Sequence, residues 1–133
     1  MILHVLYNIE ESKTSGFDVI FEKAINNWIL SLNATLQDPK NLTTSTQLLR
    51  RPKNSMNMGL RRTFDKLTMN VNLEKNSSRN DFGGAVLGAY TLANASIQYR
   101  LNSNWIFNGS ITNLSNEKYT LANGYMTPNR KIN

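Results

Sequence analysis

The sequence predicts an all-β fold, an antiparallel up-and-down meander of about six long strands. One observation behind this prediction is that apolar residues recur at every second position in several separate stretches of the chain. Another is that short turns and long polar loops alternate between those stretches. Alternation with a period of two gives a strand one apolar and one polar face.

The hairpin 90–113 shows the pattern most clearly. Its first arm places five apolar residues on one face: Ala93, Ala95, Ile97, Tyr99 and Leu101. A short turn at 102–104 leads to a second arm, 105–112, that alternates in the same way. The arms are long, since about 9 to 11 residues are what a tilted strand needs to cross a bilayer.

The other four strands are predicted at residues 15–22, 28–37, 55–62 and 67–74. Short turns at 23–27 and 63–66 join them in pairs, and long polar loops are predicted at 38–54, 75–89 and 114–127. Pro39 is expected to lie in the first long loop, because proline cannot donate to a strand ladder.

This alternation of short and long connections is typical of a transmembrane β-barrel, so the meander is predicted to be part of one. Aromatic residues near the short turns are predicted to form one girdle: Phe21, Trp28, Phe64, Tyr99 and Trp105. Tyr90, Phe82 and Tyr119 are placed for a second girdle at the long-loop ends. A soluble β-sandwich remains the alternative, although the strand length and the Asn- and Ser-rich polar face favour the barrel.

Catalysis is not predicted. The chain has no cysteine, and its only histidine, His4, cannot build a histidine triad or a histidine metal cluster alone. Acidic residues are scattered, so no catalytic residue, metal site or cofactor is predicted. The chain has no apolar run of about 18 residues for a transmembrane helix, and its first residues show no signal peptide.

Three motifs carry a family resemblance. The first is LLRRPK at 48–53, with Arg50, Arg51 and Pro52 ahead of a strand. The others are NLSNEKY at 113–119 and GYMTPNR at 124–130, whose matching residues are Asn113, Leu114, Tyr119, Gly124, Tyr125, Pro128 and Arg130. Together they resemble the C-terminal barrel of TonB-dependent outer-membrane receptors, most closely the cobalamin receptor branch, and the stretch 7–18 adds to the likeness.

The family pattern is N-L-F-D-x-x-Y followed by G-Y-x-x-P-G-R. This chain departs from it at Ser115, Asn116 and Asn129.

The resemblance implies a receptor for energy-coupled uptake of cobalamin or ferric chelates in the outer membrane of a Gram-negative bacterium. Its partners would be outer-membrane lipid and, in the full-length parent only, the nutrient ligand and an energy-coupling protein. Residues 1–133 are expected to be the C-terminal part of the barrel, without the plug and the final strand. Such a fragment would not transport alone, because about eight strands are needed to close a barrel.

The motif residues are predicted to be structural, and no ligand-binding residue is assigned. Arg50, Arg51 and Lys53 could meet an anionic ligand or a lipopolysaccharide phosphate, but solvated charges at a loop base are the favoured interpretation.

The net charge of +6 leaves a second hypothesis, a small soluble basic β-domain that binds nucleic acid or another anionic partner. Arg61 and Arg62 are predicted to point to opposite faces of their strand, and no aromatic pair lies on the basic face. Nucleic acid is therefore not the favoured partner.

Overall fold

Long antiparallel strands dominate the structure, a computed structural model that describes residues 11–133. These residues form ten strands and one short 3₁₀ turn, Phe82–Gly84. Six strands are long: β1 Ser12–Ile25, β2 Trp28–Asn41, β4 Asn54–Phe64, β5 Leu67–Asn76, β8 Tyr90–Arg100 and β9 Ile106–Thr112. The other four have two residues each: β3 Thr46–Gln47, β6 Arg79–Asn80, β7 Val86–Leu87 and β10 Lys131–Ile132.

The six long strands and the short β10 form one antiparallel sheet in the order β1-β2-β4-β5-β8-β9-β10. β3 pairs with β2 beside this path, and β6 with β7 makes a separate two-stranded sheet. The predicted all-β meander of about six long strands is therefore confirmed. His4 and the first residues of the 7–18 stretch lie outside the described residues.

The register places apolar residues opposite apolar residues, and polar residues opposite polar residues, on neighbouring strands. One transverse row runs through Phe21, Leu32, Met58, Leu73 and Ala93, each opposite the next on the neighbouring strand. Because residues directly opposite each other point to the same side, this row belongs to one face, hereafter the apolar face.

Three positions further along β4, a row on the other side of the sheet runs from Arg61 through Asn70 and Ser96 to Ser110. It belongs to the polar face. Asn70 accepts a hydrogen bond from Arg61 Nε at 2.9 Å and donates one to Ser96 Oγ at 3.2 Å. The side-chain ladder gives each polar group on this row a partner.

The apolar face is largely exposed. Phe17 is 80% exposed and Val71 47%, whereas the buried hydrophobic residues among the described ones are Leu87, Tyr90 and Leu92. A soluble sandwich would bury this face against a second sheet. The exposed face instead favours an apolar surrounding such as lipid.

No helix within residues 11–133 is long and apolar enough to cross a membrane.

Several strands are longer than predicted. β1 and β2 have 14 residues each, so the first short turn shrinks to residues 26–27, with Asn26 at φ 52°. Pro39 was predicted in a loop and lies inside β2, opposite Thr14.

The carbonyl of Pro39 explains why the strand tolerates it. That oxygen accepts from the amide of Leu48 at 2.8 Å, on the side away from β1. Since the N–H and C=O of one strand residue point the same way, the missing N–H does not break the β1–β2 ladder.

One further expectation is corrected, and one short strand is new. A second lipid-facing girdle is not formed, since Tyr90 is only 7% exposed and lies on the polar face opposite Asn76. The short strand β10, which the sequence did not predict, pairs with the outer edge of β9.

Candidate functional site at the long-loop end of the sheet

The three long loops pack together over one end of the polar face. Their centre is Asp81, whose side chain has no exposed surface. Its carboxylate accepts from Arg50 Nε at 2.6 Å, from the amide of Asn123 at 2.6 Å and from the amide of Phe82 at 2.8 Å. These contacts join the loop before β4, the loop before β8 and the loop after β9, and we refer to the group as the loop cluster.

Electrostatics at Asp81 favour its charged form. The hydrogen bond from Arg50, and then those from the two backbone amides, lower the pKa of Asp81 from 3.8 to about 2, although burial opposes the shift. Arg50 adopts a left-handed backbone with φ 60°, and its guanidinium carbon lies 5.1 Å from the centre of the Phe82 ring. The pair is therefore a charge-assisted contact with one partner fully buried.

A second group of side chains, around Tyr90 at the start of β8, supports the loop cluster. Arg79 is 5% exposed, donates from Nη2 to the carbonyl of Thr120 at 2.9 Å and lies over the Tyr90 ring at 5.4 Å. Tyr90 also packs on Tyr119, with ring centres 4.9 Å apart, and its hydroxyl donates to Glu74 at 3.0 Å. The long-loop end is consequently packed, although the polar face elsewhere is open.

Asn113 organises the loop after β9. Its side-chain amide donates to the carbonyl of Glu117 at 2.9 Å, and its side-chain oxygen accepts from the amide of the same residue at 2.8 Å. The backbone of Asn113 is left-handed, with φ 53°, and its backbone amide donates to Asn94 Oδ1 at 2.9 Å. One buried asparagine thus ties the turn to itself and to the polar face.

The other motif residues of this loop surround that turn. The amide of Leu114 donates to Ala93 at 2.7 Å, and the carbonyl of Pro128 accepts from Asn113 at 3.5 Å. The amide of Arg130 donates to Asn116 Oδ1 at 2.9 Å. Asn116 departs from the family pattern but still provides this acceptor.

Three motif residues remain. Tyr119 lies in the group that supports the loop cluster, where it packs on Tyr90, and its carbonyl accepts from the Thr127 hydroxyl. Gly124 has φ 82°, a left-handed conformation that favours glycine, and Tyr125 is 73% exposed.

The basic residues near position 50 do not form one patch. Arg50 is paired with Asp81, while Lys53 lies 3.8 Å from Asp38. Arg51 is exposed and offers its carbonyl to Gln47 at 2.6 Å, as Pro52 does to Gln37 at 2.8 Å. The structure therefore leaves one of the three cations named from the sequence without a carboxylate near it among the described residues.

Arg61 and Arg62 lie on opposite faces of β4, as their partners Asn70 and Met69 show. This arrangement supplies no single basic surface for nucleic acid. Within residues 11–133, no group of three or more His, Cys, Asp or Glu residues is placed to hold a metal ion.

Sequence reasoning missed Asp81 as the centre of the loop cluster, and Arg79 and Tyr90 as members of the group that supports it. Arg79 and Asp81 are charged residues inside a polar stretch, which is a signal, but it does not reveal which distant residue each one contacts.

The fold and the loop cluster together indicate the class of protein to which the chain belongs. A two-faced antiparallel meander, with short turns at one end and packed long loops at the other, is a segment of the wall of a transmembrane β-barrel. The family model described as "TonB dependent receptor-like, beta-barrel" matches residues 4–114. The chain therefore belongs to the TonB-dependent receptor β-barrel family.

Two solved structures show the same fold. The ferric-catecholate import receptor Fiu from E. coli K12 matches with a TM-score of 0.77 at 17% identity. The siderophore receptor PiuA from Acinetobacter baumannii matches with a TM-score of 0.72 at 18% identity. Each match covers 91% of this chain and 20% of the other, so the chain spans about a fifth of each receptor.

Proposed function

We propose that this chain forms a lipid-spanning wall segment of an outer-membrane receptor for energy-coupled uptake of a ferric chelate or cobalamin. The family membership supports the receptor class, and the names of the two matched receptors favour a ferric chelate. The cobalamin branch, suggested by the motifs, stays a prediction. A nutrient ligand and an energy-coupling protein would act on the whole receptor.

The observation that carries this proposal is the separation of the two faces across six long strands. The apolar face presents Phe17, Val71 and Ile97 to the surroundings, each at least 47% exposed. The polar face carries the Arg61, Asn70 and Ser96 ladder, which suits a wet lumen. The loop cluster would then cover part of the mouth of the lumen.

The chain alone is not proposed to transport. The sheet formed by residues 11–133 is open, with β1 at one edge and the two-residue β10 at the other, and about eight strands are needed to close a barrel. We propose structural roles for the motif residues, of which Asn113 makes the most extensive contacts.

Single-cysteine labelling tests the wall assignment, because the chain has no cysteine of its own. Spin labels would be placed at Met69, Val71 and Leu73 for the apolar face, and at Asn70 and Asn72 for the polar face. In phospholipid vesicles, the first set should be accessible to oxygen and the second to a water-soluble nickel chelate. Accessibility to the nickel chelate at all five positions would contradict the proposal.

A further inference from the structure

Arg62 is a cation on the apolar face that lies between aromatic rings. Arg62 stands two positions before the end of β4, close to the short turn, directly opposite Trp28 on β2. Its guanidinium carbon lies 4.5 Å from the centre of the Trp28 ring and 3.9 Å from the centre of the Phe64 ring. Both contacts are within cation–π distance, so two rings hold the guanidinium in place.

One donor of this guanidinium is buried without an acceptor among residues 11–133. Arg62 Nε is buried and has no hydrogen-bond partner, and the ion pairs found within residues 11–133 do not include Arg62. Its cross-strand neighbour on the other side is Met69, which offers no oxygen. The aromatic rings interact with the face of the guanidinium, whereas its five N–H donors lie in its plane and need acceptors.

The depth of Arg62 identifies the acceptor. A lipid-facing arginine costs about 2 to 4 kcal/mol at the bilayer midplane and close to nothing near the interface, where this short-turn end lies. Phosphate groups of the lipids are at that depth, and the planar guanidinium fork matches phosphate oxygens in a bidentate manner. Lys23, opposite Leu30, adds a second positive charge on the same face.

We propose that Arg62, held between Trp28 and Phe64, binds the phosphate of an anionic glycerophospholipid in the leaflet at the short-turn side of the membrane. This inference rests on the proposed function, since it needs the apolar face to contact lipid. In barrels of this kind the short turns are periplasmic, so the bound lipid belongs to the periplasmic leaflet.

Trp28 itself reports the binding. The chain has two tryptophans, so a Trp105→Phe background leaves Trp28 as the only one. In vesicles, its quenching by brominated phosphatidylglycerol would be compared with its quenching by brominated phosphatidylcholine, whose choline cation faces the guanidinium. We expect the anionic lipid to be favoured about fivefold at Trp28, in line with one basic residue near an anionic surface.

Arg62→Gln should bring that preference close to one. Arg61→Gln is the matched control, because it removes the same charge from the adjacent residue on the polar face. Arg62→Lys keeps the charge but loses the stacked planar fork. Its preference for the anionic lipid should therefore fall between that of the wild type and that of Arg62→Gln. Circular dichroism would check the β-structure of every variant.

The outcomes separate the two proposals. A preference that persists unchanged in Arg62→Gln, or that Arg61→Gln reduces equally, overturns the phosphate site and leaves the wall assignment standing. If Arg62→Gln does not fold, an Arg62→Lys preference equal to that of the wild type overturns it. Absence of quenching by both lipids would show that Trp28 is not in the bilayer, and both proposals would fall.

Discussion

Replacing Asp81 by asparagine tests whether one carboxylate holds the three long loops together. The substitution keeps the size of the side chain and one oxygen acceptor but removes the negative charge. In the wild-type chain that charge accepts from Arg50 and Asn123 at 2.6 Å each, and from Phe82 at 2.8 Å.

The structure allows an estimate of the cost. Lowering the pKa of Asp81 from 3.8 to about 2 means that the folded cluster favours the charged form by about 2 kcal/mol. Removing one member of a fully buried ion pair costs about 3 to 5 kcal/mol, but the Arg50 side chain is 44% exposed, which reduces the penalty. We therefore expect the opening free energy of the loop cluster to fall by about 2 kcal/mol.

Amide hydrogen exchange measures this opening directly. A loss of about 2 kcal/mol corresponds to exchange about 30-fold faster at the amides of Phe82 and Asn123, which donate to Asp81. Amides of β4 and β5 should keep their rates, since the ladder between these strands does not involve Asp81.

Asp65→Asn provides the control for the charge change. Asp65 is exposed in the short turn between β4 and β5, at the other end of the sheet. Unchanged exchange at the amides of Phe82 and Asn123 in Asp81→Asn would show that the Asp81 carboxylate does not hold the loop cluster together. So would a uniform increase over the whole sheet, because the effect would then not be local.

Three further outcomes are expected. The contribution of Asp81 to stability should be complete above about pH 4 and lost as the pH falls through about 2, because the folded pKa is depressed; a carboxyl-carbon NMR titration midpoint close to 4 would contradict this. Asn113→Ala should cost the loop about 2 kcal/mol, mainly through the loss of its two hydrogen bonds with Glu117, and trypsin should cleave after Lys118 faster than in the wild type; an unchanged rate would count against its structural role. Gly16→Ala would place a Cβ against the β2 backbone and should reduce β-sheet circular dichroism in micelles, whereas Gly88→Ala, with open space around it, should not; equal spectra would argue against the close approach.

Alternation alone predicted the sheet because each strand has two different faces. The residues assigned to the apolar sides of two strands, such as Leu32 and Met58, are direct cross-strand partners in the structure, so they share one face of the sheet. Strand ends were predicted less well. Pro39 was expected to lie in the loop after β2. Whether a proline interrupts a strand depends on which neighbouring strand its missing N–H would have faced. The sequence does not show which strand lies on that side.

The loop cluster could not be predicted for a different reason. Arg50 and Asp81 are separated by 31 positions, and each lies in a polar stretch with several other polar residues. Periodicity constrains neighbours within a strand and opposite it, whereas a contact between two loops depends on their three-dimensional paths. The motif resemblance identified Arg50 and Asn113 but not the carboxylate that Arg50 contacts.

The order of the strands has a consequence for assembly. Each long strand pairs with the long strand that precedes it and the one that follows it along the chain, so no pairing waits for a distant segment. Hairpins of this kind form within microseconds, and a meander of them has a low contact order for a β protein. The wall can therefore grow by one hairpin at a time, and within the described part of the chain the outer edge of β1 presents 14 residues of backbone for pairing with a further strand.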